Sequence, residues 1–260
     1  MGKSTLLNTI LHEKRCAVSP IAGTTRDSID VKIEMEGDTF TFIDTAGVRR
    51  KQKEHEVVDK FAAIRTERAI KRSDVCLLIL DSQEGLHTQE KRIANEIEAC
   101  GKGCILIFNK WDLVKGYRQE HCEKSLKDES SFLKHCPLLF ISAKDGDNID
   151  KILPMVKIVA EQMRMRVPTS PLNNMVELAQ QRVSPPMIKG KRLRVYYLSQ
   201  VSTNPPHFVL FINHTKLMTE AYRRYLLNNL RSSYKFTGCP LKFELRAKPP
   251  KALSRMSDPT

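Results

Sequence analysis

The 260-residue sequence predicts two domains in series: an α/β domain on a mostly parallel sheet with helices on both faces, then a small α+β domain. Three observations predict it. Short apolar runs alternate with helical patterns across residues 1–165. That pattern breaks at Val167-Pro168-Thr169-Ser170-Pro171, where two prolines and two hydroxyl residues read as a linker. The charge changes at the same place: residues 1–168 carry a net +2 and residues 169–260 a net +11, out of +13 for the chain. The first domain is placed at 1–166, the second at 172–248, and a proline-bearing, apolar-poor flexible tail at 249–260.

In chain order, Leu6, Leu7, Ile10 and Leu11 fall at helical spacing directly after Gly2-Lys3-Ser4-Thr5. Residues 31–35 and 39–44 read as two strands joined by the turn Glu36-Gly37-Asp38. The continuous apolar runs at 75–81, 104–109 and 138–142 suit strands buried on both faces. Helical patterns lie between and after them at 54–72, 88–100, 118–135 and 147–163, with Thr88 as the expected cap of the second. Beyond the linker come a helix at 172–182, strands at 193–201 and 208–213, a helix at 220–232 and a strand at 241–245. The order α-β-β-α-β defines the small domain.

Composition excludes several classes. With 41% hydrophobic and 28% charged residues the chain is neither disordered, collagen-like nor a disulfide miniprotein. No apolar run approaches the ~20 residues that a membrane helix needs, and MGKSTLLN lacks the apolar core of a secretory signal. No stable membrane association is therefore expected. Seven cysteines, at 16, 76, 100, 104, 122, 136 and 239, form no CxxC pair, and several sit in apolar runs. They read as free thiols packed as small hydrophobes in a reducing cytoplasm. The compact basic segment implies a polyanionic partner.

Five segments carry chemistry. Gly2-Lys3-Ser4-Thr5 offers a glycine for close backbone approach to phosphate, a lysine for phosphate oxygens, a hydroxyl for magnesium and a helix N-terminus. In Gly23-Thr24-Thr25-Arg26-Asp27 a threonine, Thr25, can close on magnesium and the γ-phosphate. In Asp44-Thr45-Ala46-Gly47 the aspartate can hold a magnesium-bound water and the glycine amide can reach the γ-phosphate. Asn109-Lys110-Trp111-Asp112 ends a buried strand, where open α/β sheets bind ligands. The Asp112 carboxylate can accept both the N1 and N2 hydrogens of guanine, a donor pair that adenine lacks, while the Lys110 stem packs over the base. The backbone of Ser142-Ala143-Lys144 can meet the guanine oxygen. Singly, these segments also read as a cap, turns and a solvated loop. Five in this order at strand ends read as one nucleotide site.

On GKST, GTTRD, DTAGVRR, NKWD and SAK, the chain resembles the translation-factor-like GTPases. In detail it resembles the second GTPase domain plus C-terminal domain of the Der (EngA) family, over nearly its whole length. The resemblance implies a P-loop GTPase fold followed by a K-homology (KH)-like domain, and GTP hydrolysis to GDP and phosphate. It also implies a role in assembling the large ribosomal subunit, with nucleotide state gating binding to the precursor particle and its rRNA. By it, Gly2, Lys3, Ser4, Thr5, Asp44, Thr45, Ala46, Gly47, Val48, Asn109, Lys110, Trp111, Asp112, Ser142, Ala143 and Lys144 line the nucleotide. Ser4, Thr25 and Asp44 serve Mg2+. Val48 stands where many GTPases carry a water-orienting glutamine, so no catalytic residue is assigned and intrinsic turnover is expected to be slow. Potassium stimulation is a family expectation, but the asparagine that would help hold the ion falls upstream of Met1. Arg49, Arg50, Lys51 and Lys53 fit a solvated loop and a switch presenting charge to RNA or to the basic domain equally well.

The first strand of such a fold and the first half of its phosphate loop would also lie upstream of Met1. The chain is therefore expected to be a fragment or to begin at a mis-called start; the family's other GTPase domain would precede this one, and the sequence carries no sign of it either way. The alternative function is a non-catalytic RNA-binding fragment with an incomplete nucleotide site. In the basic domain, Lys189, Lys191, Arg192, Arg194, Arg223 and Arg224 are the expected phosphate contacts. Most of the interleaved tyrosines read as core. With no GxxG clamp in this segment, charge- and shape-driven binding to structured ribosomal RNA is expected rather than reading of a single strand, and no DNA partner.

Overall fold

A computed structural model describes residues 2–12, 17–21, 30–43, 58–114, 116, 119–129 and 133–247. Two compact units emerge: Met1–Arg164 with Phe236–Pro240, and Met165–Lys235 with Leu241–Thr260.

The first unit opens with α1 (Lys3–His12), whose buried face is Leu6, Leu7 and Ile10. An antiparallel sheet follows, β1 (Ala17–Ile21), β2 (Asp30–Met35) and β3 (Asp38–Phe42), in that spatial order. Strand β1 was not expected from the sequence. It is five residues long and contains Pro20, which removes a ladder donor, and its place at the sheet edge is where proline is tolerated. Helix α2 (Val58–Arg72) leads into the parallel sheet of β4 (Val75–Asp81), β5 (Gly103–Asn109) and β6 (Leu138–Phe140). Every residue of β5 is buried, which is why its sequence is apolar without alternation. Register pairs Asp81 with Asn109 and Phe108 with Phe140, so the strand ends line one edge of the sheet.

Helices α3 (Thr88–Ala99), α4 (Gln119–Glu129) and α5 (Ile152–Arg164) complete the unit. Thr88 is the first helical residue rather than the cap: His87 holds that position, extended and without a side-chain cap bond. The pattern at 118–135 resolves into α4 and a separate 3-10 turn, Leu133–His135. That at 147–163 begins as a 3-10 turn, Ile149–Lys151, before α5, where Pro154 sits in the first turn and breaks no helical hydrogen bond. Gly103 allows α5 to close on β5, since a Cβ there would lie 2.7 Å from Val159 Cγ1.

Five residues of the expected second domain belong to this first unit. The Gly238 carbonyl accepts from Cys104 N–H at 2.9 Å, its N–H donates to His135 O at 2.6 Å, and Phe236 N–H donates to Gln162 Oε1 at 3.2 Å. Phe236 and Cys239 are fully buried.

The second unit contains α6 (Thr169–Arg182), a short hairpin of β7 (Met187–Ile188) and β8 (Lys191–Arg192), β9 (Val195–Ser202), β10 (His207–Ile212), α7 (Glu220–Tyr234) and β11 (Lys242–Ala247). Its three-stranded sheet runs β11-β10-β9, with β9 antiparallel and β11 parallel to β10. Leu198, Leu210 and Ile212 of the sheet and Leu172, Val176, Leu226 and Leu230 of the helices are buried. Asn173 of α6 covers the edge strand, accepting from Leu198 N–H at 2.8 Å and donating to Leu198 O at 3.3 Å. The hairpin was not anticipated. Lys189 and Gly190 both take positive φ (48° and 73°), the geometry of a two-residue hairpin turn.

No helix among the described residues is long and apolar enough to cross a membrane. The six described cysteines are free, and Cys16 lies outside the described residues.

Candidate functional site

Three of the five sequence segments meet at the carboxyl edge of the parallel sheet. Gly2 takes φ 78°, and a Cβ there would lie 2.4 Å from Asn109 Nδ2, so both backbone and space demand glycine. Its carbonyl accepts from Leu6 N–H at 2.9 Å and starts α1. Lys3, Ser4 and Thr5 therefore occupy the first turn, where amides have no helical partner. One turn on, Thr9 Oγ1 donates to Ala143 O at 2.7 Å and ties α1 to the 142–144 turn.

Asn109 is the hub. It is 2% exposed, its Oδ1 accepts from Ala143 N–H at 2.9 Å, and its carbonyl accepts from both Ser82 N–H and Ser82 Oγ, at 2.9 and 2.6 Å. Trp111 N–H donates to Ile141 O at 3.0 Å, and its ring packs 4.5 Å from Phe140. Asp112 stands exposed on the 3-10 turn Trp111–Leu113. Ser142 and Ala143 are buried and Lys144 is exposed. The turn is closed by Gly146 N–H on Ser142 O at 2.9 Å.

Lys110 sits in the left-handed region at φ 64°, ψ 36°, which costs a lysine about 1–2 kcal/mol. Its Nζ lies 2.5 Å from Asp81 Oδ2. This hydrogen bond holds the Asp81 carboxyl below its ordinary range against the opposing effect of burial, and raises the lysine. Asp81 and Ser82 escaped the sequence reading. The available signal was a carboxylate ending the strand before NKWD, level with Asn109.

A cavity of about 500 Å³ opens beside this loop, lined by Ser82, Gly85, Phe108, Leu113, Cys122 and Leu126 among others. None of the expected nucleotide residues lines it. Thr25, Asp44, Thr45, Ala46, Gly47 and Val48 lie outside the described residues, as do Arg49, Arg50, Lys51 and Lys53.

Residues 1–110 match the family described as "50S ribosome-binding GTPase", and residues 166–246 that described as "KH-domain-like of EngA bacterial GTPase enzymes, C-terminal". The chain is 54% identical over 248 residues to GTPase Der of Protochlamydia amoebophila (strain UWE25), covering 95% of this chain and 51% of that protein. In both matched segments this chain is similar to the Der (EngA) GTPases.

A second Der relative, from Acetivibrio thermocellus, is 46% identical over 251 residues, covering 95% of this chain and 57% of its own. The chain thus spans about half the length of the curated Der proteins it matches. Among solved structures it is similar to the crystal structure of Era in complex with MgGDPNP and nucleotides 1506–1542 of 16S ribosomal RNA. That likeness has a TM-score of 0.44 and 22% identity, over 96% of this chain and 89% of that one.

The KH-like unit carries the basic residues on its surface. Lys189, Lys191, Arg192 and Arg194 are exposed along and just after the hairpin, and among the described residues none of them forms an ion pair. Asn213 frames them: its Nδ2 donates to Arg192 O and its Oδ1 accepts from Arg194 N–H, both at 3.0 Å. Arg224 is exposed. Arg223 is half-buried, donates to Phe243 O at 3.4 Å and lies 3.5 Å from Glu220, so its charge is engaged within the unit. The tyrosines largely serve the core, as expected. Tyr222 and Tyr225 donate to Val183 O and Ala179 O, Tyr197 stacks on Phe211 at 4.2 Å, and burial pushes the Tyr222 hydroxyl up to about 12. Tyr196 remains 47% exposed.

Proposed function

We propose that the protein binds GTP and GDP at the carboxyl edge of its parallel sheet and hydrolyses GTP to GDP and phosphate. We propose further that nucleotide state gates its docking, in the cytoplasm, on rRNA of a large-subunit precursor. The observation that carries this reading is the convergence of Gly2, Asn109 and Ala143, segments distant in sequence that share one buried amide side chain. Asp112 would accept from the guanine N1 and N2 hydrogens, Asn109 would hold the loop, and the 142–144 turn would face the guanine oxygen. Lys3 and the first-turn amides of α1 would meet the phosphates.

The donor set proposed for a metal, the Ser4 and Thr25 hydroxyls with the Asp44 carboxylate, is all oxygen. It fits a small hard cation such as Mg2+ rather than a thiophilic one. When bound, Mg2+ would neutralise charge developing on the phosphate oxygens. Ser4 is the one member of that set within the described residues, in the first turn of α1. Val48 offers no group to orient water, so slow intrinsic turnover follows. Potassium stimulation stands only on the family resemblance.

RNA docking is supported by the family description of residues 1–110 and by the exposed cations of the hairpin. Lys189, Lys191, Arg192, Arg194 and Arg224 would contact phosphates, with Arg223 supporting the helix. Titration with GDP against ADP tests the nucleotide site: preference for GDP is expected. RNA binding without any nucleotide binding would leave only an RNA-binding fragment.

A further inference from the structure

We propose that Asp81 is a positioning residue for base recognition: its carboxylate clamps Lys110 and so fixes the loop that carries Asp112. The inference rests on the guanine-nucleotide reading above and names a residue that the five motifs do not contain.

Asp81 and Asn109 are register partners, the last residues of two adjacent parallel strands. At 5% exposure Asp81 is buried, and both of its carboxylate oxygens are used. Oδ1 accepts from Gln83 N–H at 3.2 Å, and Oδ2 faces Lys110 Nζ at 2.5 Å. The Asp81 carbonyl also accepts from Glu84 and Gly85 N–H, at 3.2 and 2.8 Å. The carboxylate is therefore presented by a closed turn. Ser82, next in that turn, grips the Asn109 carbonyl through both its N–H and its hydroxyl. The turn after β4 thus holds residues 109 and 110 together, immediately before Trp111 and Asp112.

The backbone identifies what this grip resists. Lys110 is left-handed, a conformation that glycine or asparagine adopts more readily, and it turns the chain from β5 into the 3-10 turn bearing Asp112. A lysine at that position has a long stem with many rotamers. Anchoring its ammonium on a buried carboxylate holds the stem, and with it the left-handed residue, in one geometry. The direction in which Asp112 projects then depends on the anchor.

Guanine offers Asp112 two donors and hypoxanthine only one, so discrimination between GDP and IDP reads the alignment of Asp112. Phosphate contacts are common to both nucleotides. The dissociation constants of GDP and IDP, with the thermal midpoint, are to be measured for the wild type, Asp81→Ala, Asp81→Asn, Lys110→Met and the Asp81→Ala/Lys110→Met double variant. Asp81→Ala is expected to narrow the IDP/GDP ratio about tenfold. Asp81→Asn keeps an oxygen for Gln83 but loses the charge, and is expected to narrow the ratio about threefold. The double variant should be no worse than Lys110→Met alone. If Asp81→Ala does not fold, Asp81→Asn decides. An unchanged ratio, with both affinities falling together with the thermal midpoint, would show Asp81 to be merely structural and overturn the clamp. A wild type that does not prefer GDP to ADP would overturn the guanine reading, and the clamp with it.

Discussion

The carboxyl edge of the parallel sheet and the basic hairpin of the second unit handle polar groups in opposite ways. At the sheet edge polar groups are buried and partnered: Asn109 is 2% exposed and shares its side-chain oxygen with Ala143, and Asp81 at 5% faces Lys110. On the hairpin, four cations stand exposed on a backbone framed by Asn213. A buried partnered network fixes geometry, and losing one member leaves the others unsatisfied. Exposed like charges fix nothing locally but attract a polyanion over several ångströms, with a strength set by salt. The two regions should therefore fail differently when perturbed.

The largest expected effect is at the base. On the proposed reading, Asp112→Asn would exchange an acceptor for a donor opposite the guanine N1 and N2 hydrogens. GDP affinity should fall about 10²–10⁴-fold, from the loss of two charge-assisted hydrogen bonds. RNA affinity of the nucleotide-free protein should not move. Competition titration checks both, and comparable losses in each would dissolve the contrast between the regions.

Next is Gly238→Ala, which tests where a short segment belongs. At φ 69°, a Cβ on residue 238 would lie 2.8 Å from Cys104 O and 2.9 Å from Val159 Cγ2. The backbone conformation and the overlap together should cost about 2–4 kcal/mol. Amide exchange should rise around Cys104 and Val159 in the first unit while Leu198 and Leu210 in the second stay protected. A loss confined to the second unit would contradict the packing of Phe236–Pro240.

That segment also marks what the sequence does not display. Strands 75–81 and 104–109 were legible because a strand covered on both faces must be apolar throughout. The meeting of NKWD and SAK followed because each ends such a strand. Phe236–Pro240 carries no local sign of its partners, since Cys104, His135 and Gln162 are distant in sequence. Strand β1 was masked by Pro20, and the 187–192 hairpin is too short to show alternation. Asp81 ends strand 75–81 with no sign of its role in the sequence, because that role depends on register with Asn109. Arg223 and Arg224 are indistinguishable in sequence, yet one turns inward to Phe243 O and the other faces solvent.

A smaller effect is expected at the hairpin. Replacing Lys191 and Arg192 by Glu should weaken RNA binding about ten- to hundredfold at low salt and flatten the log–log salt dependence by roughly 1.4–2, as two phosphate contacts are lost. Nucleotide affinity should hold. Replacing Arg223 should lower helix stability more than RNA affinity, separating it from its neighbour.

The smallest effect is a flat line, and it follows from the signs of the Asp81–Lys110 pair. Asp81's folded value is depressed, so its contribution is present above the ordinary carboxylate range and is lost as pH falls through the lowered value. Lys110's is raised, so its contribution is complete below the ordinary lysine range and fades only as pH rises through the raised value. Between those limits, about pH 5 to 10, the pair stays charged and the loop it anchors should not change. The ratio of GDP to IDP affinity, in which titration of the shared phosphates cancels, should therefore be level from pH 6 to 8, while a rise in salt over ~50–200 mM weakens RNA binding steeply. A GDP-to-IDP ratio that climbs or falls tenfold across those two pH units would mean that a group other than this pair sets the geometry of the base loop.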